Sequence, residues 1–353
     1  MTHLVLLGAG HAHVEVLRRA ARKPSPGQRI TLITRDAETA YSGLLPALIR
    51  GECSHADAHI ACVPLAHAAG AALTVSDAIA IDLDSRTVLT RSAGIIRFDL
   101  LSIDVGGAVR RSGGIAVKPI GGFLVRLQSL EDGLRHDAEI AVIGAGAGGT
   151  ELALALSIRL AGRARITLIG PTLLPSAPQS ARGVVLEAMR ANAVQVMPGT
   201  ARSFSDNELT MADGTVLAFD AAIWATGVAA PDLLARSGLT CDPDGRALTD
   251  AGLRSLSHDF VFAAGDCAAI HNNPRPGAGV WAVRAGPVLA ANLFAAAAGR
   301  GITPWRPQRD ALAILGLGRG RAVAWRGGFS LSGRLPFWWK RRIDRRWMAR
   351  YRA

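Results

Sequence analysis

Residues 139–156 read Glu-Ile-Ala-Val-Ile-Gly-Ala-Gly-Ala-Gly-Gly-Thr-Glu-Leu-Ala-Leu-Ala-Leu. The apolar run Ile140 to Ile143 predicts a strand, Gly144-x-Gly146-x-x-Gly149 follows it, and an Ala/Leu-rich helix leads away. A dinucleotide site needs that order. Gly144 permits the tight turn, Gly146 lets backbone approach a pyrophosphate, and Gly149 lets helix and strand pack closely. The helix N-terminus adds free N–H groups and a partial positive charge for the phosphates. Leu4-Val5-Leu6-Leu7-Gly8-Ala9-Gly10 opens the chain with the same strand-to-glycine pattern. Two such signatures predict two nucleotide-binding units.

At 353 residues the chain is long enough for two domains with cores of their own. The 49 % of apolar residues predicts a globular protein rather than a disordered one. Its net charge of +12 is concentrated at the end. Between 334 and 352, Arg334, Lys340, Arg341, Arg342, Arg345, Arg346, Arg350 and Arg352 face Asp344 alone. A basic tail on a mildly basic body suits an anionic membrane surface better than nucleic acid, which is an unlikely partner. The first strand begins at residue 4, which leaves no room for a signal peptide, and no apolar run reads as long enough to span a bilayer. The expected location is cytoplasmic, with the tail as the candidate for peripheral attachment to the cytoplasmic membrane face.

Along the chain, residues 4–7 predict a strand, 8–13 a turn, Val14 to Ala21 a helix and Arg29 to Thr34 a second parallel strand. His13 stands at the third fingerprint position, and the second strand ends in Thr34-Arg35-Asp36 rather than an acid placed to hold ribose. Tyr41-Ser42-Gly43-Leu44-Leu45-Pro46 reads as a loop entering a short helix, and the segment to 103 as strands and turns ending in Asp104-Val105-Gly106-Gly107. Residues 108–122 suit a crossing between domains. A helix near 123–134, the second fingerprint, a strand at Arg165 to Ile169, and Ala221 to Gly227 make the second unit. Asp259 to Asp266 is an apolar strand ending in Gly-Asp, where an acid at the carboxyl end of a parallel strand suits a ribityl hydroxyl. A helix from Gly279 to Ala298 and hairpin strands at 311–331 precede the tail.

Gly8-Ala9-Gly10, Gly144-Ala145-Gly146, Ala225-Thr226-Gly227 and Gly265-Asp266, in that order, resemble the two-dinucleotide-binding-domain flavoproteins of the pyridine nucleotide-disulfide oxidoreductase superfamily. Gly149-Thr150-Glu151-Leu152-Ala153 is similar to a run of the type II NADH dehydrogenases. A closer likeness is to the flavoprotein associated with selenide, water dikinase, through Gly8 to Val14, Tyr41 to Pro46, Val117 to Ile120, Val280 to Arg284 and Ile343 to Arg346. The resemblance implies an α/β chain of two doubly wound Rossmann-like domains, the second inserted in the first. Its parts are an FAD-binding domain at 1–111, an NAD(P)-binding domain at 112–240, the FAD-binding domain resumed at 241–300, and an α+β extension at 301–353 ending in a basic amphipathic helix.

The same resemblance implies FAD and NAD(P)H as cofactors. Around FAD it implies Gly8, Gly10, His11, Ala12, Thr34 and Arg35, the loop residues Ser42, Gly43 and Pro46, then Val105, Gly106, Gly265, Asp266, Trp281 and Ala282. Around the nicotinamide nucleotide it implies Gly144, Gly146, Gly149, Gly170, Ala225, Thr226 and Gly227. Glu151 is the candidate proton relay, its alternative a carboxylate stabilising a helix N-terminus; Lys118 either reaches the flavin or stays on the surface. Gly170 stands where an NADH enzyme has an acid for the 2′-hydroxyl, so the sequence leaves NADH or NADPH open; Arg163 or Arg165 could meet a 2′-phosphate, but a surface position is the favoured reading for both.

The expected reaction passes electrons from NAD(P)H through flavin to a diffusible acceptor such as a quinone, without a redox dithiol, because Cys53, Cys62, Cys241 and Cys267 lack close spacing. Two alternatives stay open: a flavin-binding partner module serving selenophosphate synthesis with a silent nicotinamide site, and a sulfide- or selenide-oxidising flavoprotein. His55 and His59 have i, i+4 spacing, yet no metal is expected. Trp339, Ile343, Trp347 and Tyr351 recur every four residues among Arg and Lys, a stripe for a membrane interface or for the protein's own body.

Overall fold

The computed structural model describes residues 1–25, 27–109, 112–275 and 277–352. The domain boundary expected at 111/112 falls on residues 110 and 111, outside the described residues, as does Pro26 of the expected loop at 24–27. In chain order the elements that build the site are β1 (Thr2–Leu7), α1 (His11–Arg22), β2 (Gln28–Thr34), β3 (Ala72–Val75) and β4 (Leu100–Ile103). A second set follows: β5 (Ile115–Ala116), β6 (Ala138–Ile143), α2 (Ala147–Arg159), β7 (Ala164–Gly170), β8 (Val194–Pro198) and β9 (Ala221–Trp224). The chain then returns with β10 (Val261–Ala263) and α3 (Gly279–Ala297), and ends with β11 (Ala313–Gly318), β12 (Arg321–Arg326), β13 (Phe329–Gly333) and α4 (Arg334–Met348).

Two five-stranded sheets result, in the orders β10-β4-β1-β2-β3 and β5-β9-β6-β7-β8, and their pairings are parallel throughout. Leu4, Val5 and Leu6, like Ile140, Ala141 and Val142, have no exposed surface, so the continuous apolar runs follow from central strands covered on both faces. Because β10 pairs with β4, the chain returns to the first sheet after completing the second.

The two sheets repeat each other atom for atom at their joints. Gly8 N donates to Ile33 O and Gly144 N to Ile169 O, each at 2.7 Å. Asp104 N donates to Leu7 O at 2.8 Å, and Ala225 N to Ile143 O at 2.7 Å. Thr34 therefore corresponds to Gly170, and Asp104 to Ala225.

Helix α3 corrects one expectation, because by length and composition it is apolar enough to cross a membrane. One face of it is buried, with Ala282, Ala285, Leu289, Ala290 and Leu293 in the core and Gly286 against α1. A Cβ at Gly286 would stand 2.8 Å from Glu15 Cβ and 3.4 Å from Ala12 Cα. Those apolar residues are accounted for by packing.

The extension ties both units together. Leu315, Val323 and Trp325 of the β11–β13 meander join the core of the second unit, whereas Trp347, Met348 and Tyr351 join that of the first. Trp347 stacks on Tyr41 at 4.2 Å between ring centroids, and the Tyr351 hydroxyl donates to Glu15 Oε2 at 2.8 Å. The four-residue stripe is thus divided: Trp347 and Tyr351 dock on the protein's own body, while Trp339 and Ile343 remain exposed. Trp347→Ala should lower stability by about 3–5 kcal/mol, read as a lower denaturation midpoint, and should let a protease trim the tail before the body. A tail trimmed no faster than in the parent protein would show that Trp347 does not anchor it.

Candidate functional site

At the second joint the glycines do separate work. Gly144 has φ +114°, and a Cβ there would stand 2.7 Å from Ala225 O. A Cβ at Gly149 would stand 1.8 Å from Gly144 O, so helix and turn touch through backbone. Gly146 differs: nothing lies within 4 Å of its Cβ position, and as N-cap of α2 it leaves the first-turn N–H groups without a side-chain partner. Open space before uncapped N–H donors fits an anionic phosphate. Gly227, beyond Ala225 and Thr226, is equally open.

Gly170 is held by crowding, since a Cβ there would stand 2.6 Å from Ala145 Cβ. No side chain, a carboxylate included, fits at this position without a shift of Ala145. Arg163 and Arg165 do not replace it, because both belong to the start of β7, at the other end of the strand from Gly170, a span of about 20 Å at ~3.3 Å per residue. Arg165 pairs with Glu139 at 2.6 Å and Arg163 donates to Glu131 O at 2.8 Å. Of the two readings for these arginines, the surface one fits: both are exposed.

The first joint carries more polar chemistry. A Cβ at Gly8 (φ +93°) would stand 2.3 Å from Asp104 O and 2.7 Å from Val105 Cα. Asp104 is 2 % exposed, and its Oδ2 accepts from Ala12 N at 2.8 Å and His13 N at 3.3 Å. Burial pushes its carboxyl up to about 7, against the two N–H donors that hold it down, and the charge of Asp266 adds to the rise. His13 belongs to the backbone frame, its Nδ1 2.6 Å from Gly8 O and its Nε2 2.8 Å from Ser102 Oγ. His11 is available: its Nε2 is buried without a partner, and burial lowers its pKa to about 4, so a neutral imidazole faces the site. A buried, unpartnered ring nitrogen on the first turn of α1 fits a bound polar ligand.

Around it, Lys118 Nζ pairs with Asp266 Oδ2 at 2.5 Å, which draws the crossing segment to the Gly265–Asp266 turn. Ser42 Oγ lies 2.7 Å from where a Gly279 Cβ would be, so the Ser42–Gly43 loop meets the start of α3. Ala282 and Trp281 line a cleft beside Asp266, with Arg275 and Arg284 over the Trp281 ring at 5.3 and 5.6 Å. Pro46 opens the short helix at 45–49, Gly106 (φ +71°) forms the turn after Asp104, and Thr34 is buried at the end of β2. Arg35 pairs with Asp77 at 2.6 Å on the surface.

Glu151 is drawn in from the second unit. Its Oε1 accepts from Gly316 N of β11 at 2.6 Å. Burial pushes its carboxyl above the usual range, while the charges of Lys340 and Arg50 and the Gly316 N–H oppose the rise. Lys340 Nζ of α4 donates to Gly43 O at 2.8 Å and Asp344 Oδ2 at 3.1 Å, and the Tyr41 hydroxyl donates to Asp344 Oδ1 at 3.1 Å. Tyr41 and Trp347 both pack on the His11 ring, at 5.5 and 5.3 Å. Sequence reasoning missed Lys340, Asp344 and Tyr41 as members of this cluster, because only folding brings residues about 300 positions apart together. Asp104 was legible in principle: aligning the two strand–turn repeats sets it opposite Ala225.

Glu38 joins His55 and His59 in a cluster with metal-ligand chemistry, His55 Nε2 lying 2.5 Å from Glu38 Oε1. The two rings stack at 3.7 Å with 9° between their planes.

A family model described as pyridine nucleotide-disulphide oxidoreductase matches residues 2–286. An NADH dehydrogenase-like protein of Mycobacterium tuberculosis is 28 % identical over 300 residues, 76 % of this chain and 73 % of that protein. The demethylphylloquinone reductase of Synechocystis is 25 % identical over 356 residues, 94 % of this chain and 88 % of the other. The sulfide:quinone oxidoreductase of Aquifex aeolicus superposes with a TM-score of 0.80 at 17 % identity, covering 100 % of this chain and 92 % of that one, a likeness of fold.

None of the four cysteines is paired in a disulfide. Burial pushes the thiols of Cys53 and Cys62 up to about 11, and Cys267, also buried, is pushed up further. At pH 8, where thiolates react, the native protein should therefore take up an aromatic disulfide reagent slowly at every cysteine. One rapidly labelled cysteine would reopen a thiol-based reaction.

Proposed function

The chain belongs to the pyridine nucleotide-disulphide oxidoreductase family, and from that premise we propose a separate task for each of its two glycine joints. The protein is an FAD-dependent NAD(P)H oxidoreductase. In the proposed assignment the α1 joint holds FAD and the α2 joint holds the nicotinamide nucleotide. The open, uncapped N-terminus of α2 at Gly146 carries this reading, because its N–H groups lack a side-chain partner and nothing beside them obstructs the approach of a phosphate. The division at 1–111, 112–240, 241–300 and 301–353 is kept within the proposal, supported by the return of β10 to the first sheet.

When bound, a flavin accepts a hydride from a nicotinamide and passes electrons on singly or in pairs. The chain's own residues do the rest. His11, on the first turn of α1, would meet the FAD phosphates, Asp266 would hold a ribityl hydroxyl with Lys118 neutralising it, and the start of α3 at Gly279 would turn its N–H groups toward developing negative charge. Glu151, a carboxyl whose hold on a proton burial strengthens against the charges of Lys340 and Arg50, is the proposed proton donor to a reduced acceptor. The acceptor is a quinone, a reading supported by the name of the Synechocystis relative. A partnership with selenide, water dikinase rests on resemblance alone.

A second observation concerns where the acceptor is met. Phe329 is 88 % exposed, and Leu331, Leu335, Trp338, Trp339 and Ile343 are also exposed on β13 and α4, with Arg341, Arg342, Arg345 and Arg346 on the same helix. Apolar rings bordered by arginines suit the interface of an anionic membrane, on its cytoplasmic face.

Three measurements test these readings. Anaerobic titration with NADH and, separately, NADPH should bleach the oxidised-flavin absorbance with one of them. Glu151→Gln should leave that bleaching intact and slow acceptor turnover by about 10²–10⁴-fold; loss of bleaching would instead assign Glu151 to flavin reduction. Replacing Trp338 and Trp339 by Ser should abolish flotation with anionic liposomes, and equal flotation of both forms would remove the membrane role.

A further inference from the structure

The two joints share the same strand-to-turn backbone hydrogen bonds, and besides His11 they differ in one charged side chain that matters for an anion. At the α2 joint the residue after the crossover strand is Ala225, a methyl, and the helix N-terminus stands open. At the α1 joint the same place is Asp104, whose carboxylate accepts from the N–H groups of Ala12 and His13. One helix N-terminus awaits an anion; the other already holds one.

That carboxyl has nowhere to go. It is 2 % exposed. A Cβ at Gly10 would stand 2.2 Å from its Cγ and Oδ1, and one at Gly265 would stand 2.3 Å from Oδ1. Both glycines are small because the carboxyl fills the space a side chain would take. It thus lies wedged between the phosphate-binding turn and the Gly265–Asp266 turn. A diphosphate arriving at this N-terminus brings two negative charges next to a buried third, and Asp266 supplies a fourth nearby, offset by Lys118. Low-dielectric surroundings strengthen that repulsion. Displacing the carboxyl would require repacking of both turns. Neutralising it requires one hydrogen ion and leaves its carbonyl oxygen free to go on accepting from Ala12 N.

We propose that Asp104 takes up a proton from solvent when a dinucleotide diphosphate seats on α1, so that this chain binds its flavin nucleotide together with one hydrogen ion. The inference rests on the flavin site proposed above and adds to it a residue that sets cofactor affinity by charge. No bond other than O–H forms, and no electrons move.

The charged and titratable groups facing Asp104 do not blur the assignment. His11 and His13 on α1 are buried, with pKa values lowered to about 4, and stay neutral above pH 6. Cys267, after the Gly265–Asp266 turn, is pushed far above the range by burial and stays a thiol. Asp266 is paired with Lys118. Asp104 itself, held up to about 7 by burial, is the group that changes charge near neutrality.

The sign follows from linkage. Below about pH 7 the carboxyl is already neutral and binding is independent of pH. Above it, each unit of pH lowers the protonated fraction about tenfold, and affinity falls in step until the pKa of the complex is passed. The test is titration of the full chain, stripped of flavin, with FAD from pH 6 to 8.5 by quenching of flavin fluorescence, with calorimetry in buffers of different ionisation enthalpy. The wild type should weaken close to tenfold between pH 7.5 and 8.5 and take up nearly one proton per FAD. Asp104→Asn, which keeps the acceptor and removes the charge, should bind with little pH dependence and about thirtyfold tighter than wild type at pH 8.5. Should that variant fail to fold, proton uptake by the wild type decides alone. FAD binding with no pH slope and no proton uptake would overturn the inference and leave the flavin site standing, as would an unchanged slope in Asp104→Asn. Absence of FAD binding at every pH would overturn both.

Discussion

Backbone meeting backbone at the two glycine joints is the constraint on which the rest depends. At the second joint a Cβ on Gly149 would collide with Gly144 O, and one on Gly144 with Ala225 O, so three segments from different parts of the chain approach as bare main chain. This contact sets the angle at which a helix leaves its strand, and it aims the helix N-terminus at the carboxyl ends of the strands, where a nucleotide binds in such sheets. At the first joint the same geometry is met with a carboxyl in the gap, and glycine is required at Gly10 and Gly265 by a side chain rather than by main chain.

The extension makes one site out of two units. Its strands add to the core of the second, its last helix to the core of the first, and Lys340 joins Gly43 O to Asp344 where Glu151 arrives from across the boundary. A half-buried lysine, the half-buried Glu151 and the buried Asp344 each offset part of the desolvation of the others. The helix also sorts its residues by side: Trp347 beneath it stacks on Tyr41, while Trp338 and Trp339 face outward. A four-residue period alone cannot decide between those sides, since residues four apart drift around a helix of 3.6 residues per turn.

Much of the fold was legible from residue order. Continuous apolar runs ending in glycine fixed both central strands and the helices after them, because a strand buried on two faces admits little else. The extra helical start at His11, rather than Val14, escaped notice because a histidine-rich first turn carries no apolar period. Candidate site residues near the joints were legible through spacing. Those contributed by α4 were not, and neither was the reason for Gly170, which is excluded volume from Ala145.

By itself the sequence determined two dinucleotide-binding units, their order, the absence of a closely spaced dithiol and a basic aromatic tail, since these depend on local backbone conformation and on composition. Only the tertiary structure decided that Arg163 and Arg165 lie at the far end of β7 from Gly170, that the tail folds back on its own body, and that the Asp104 carboxyl accepts from the first-turn N–H groups of α1. Each of those is a matter of which distant segments share one volume and which charges must then face each other without water, and no spacing along the chain records it.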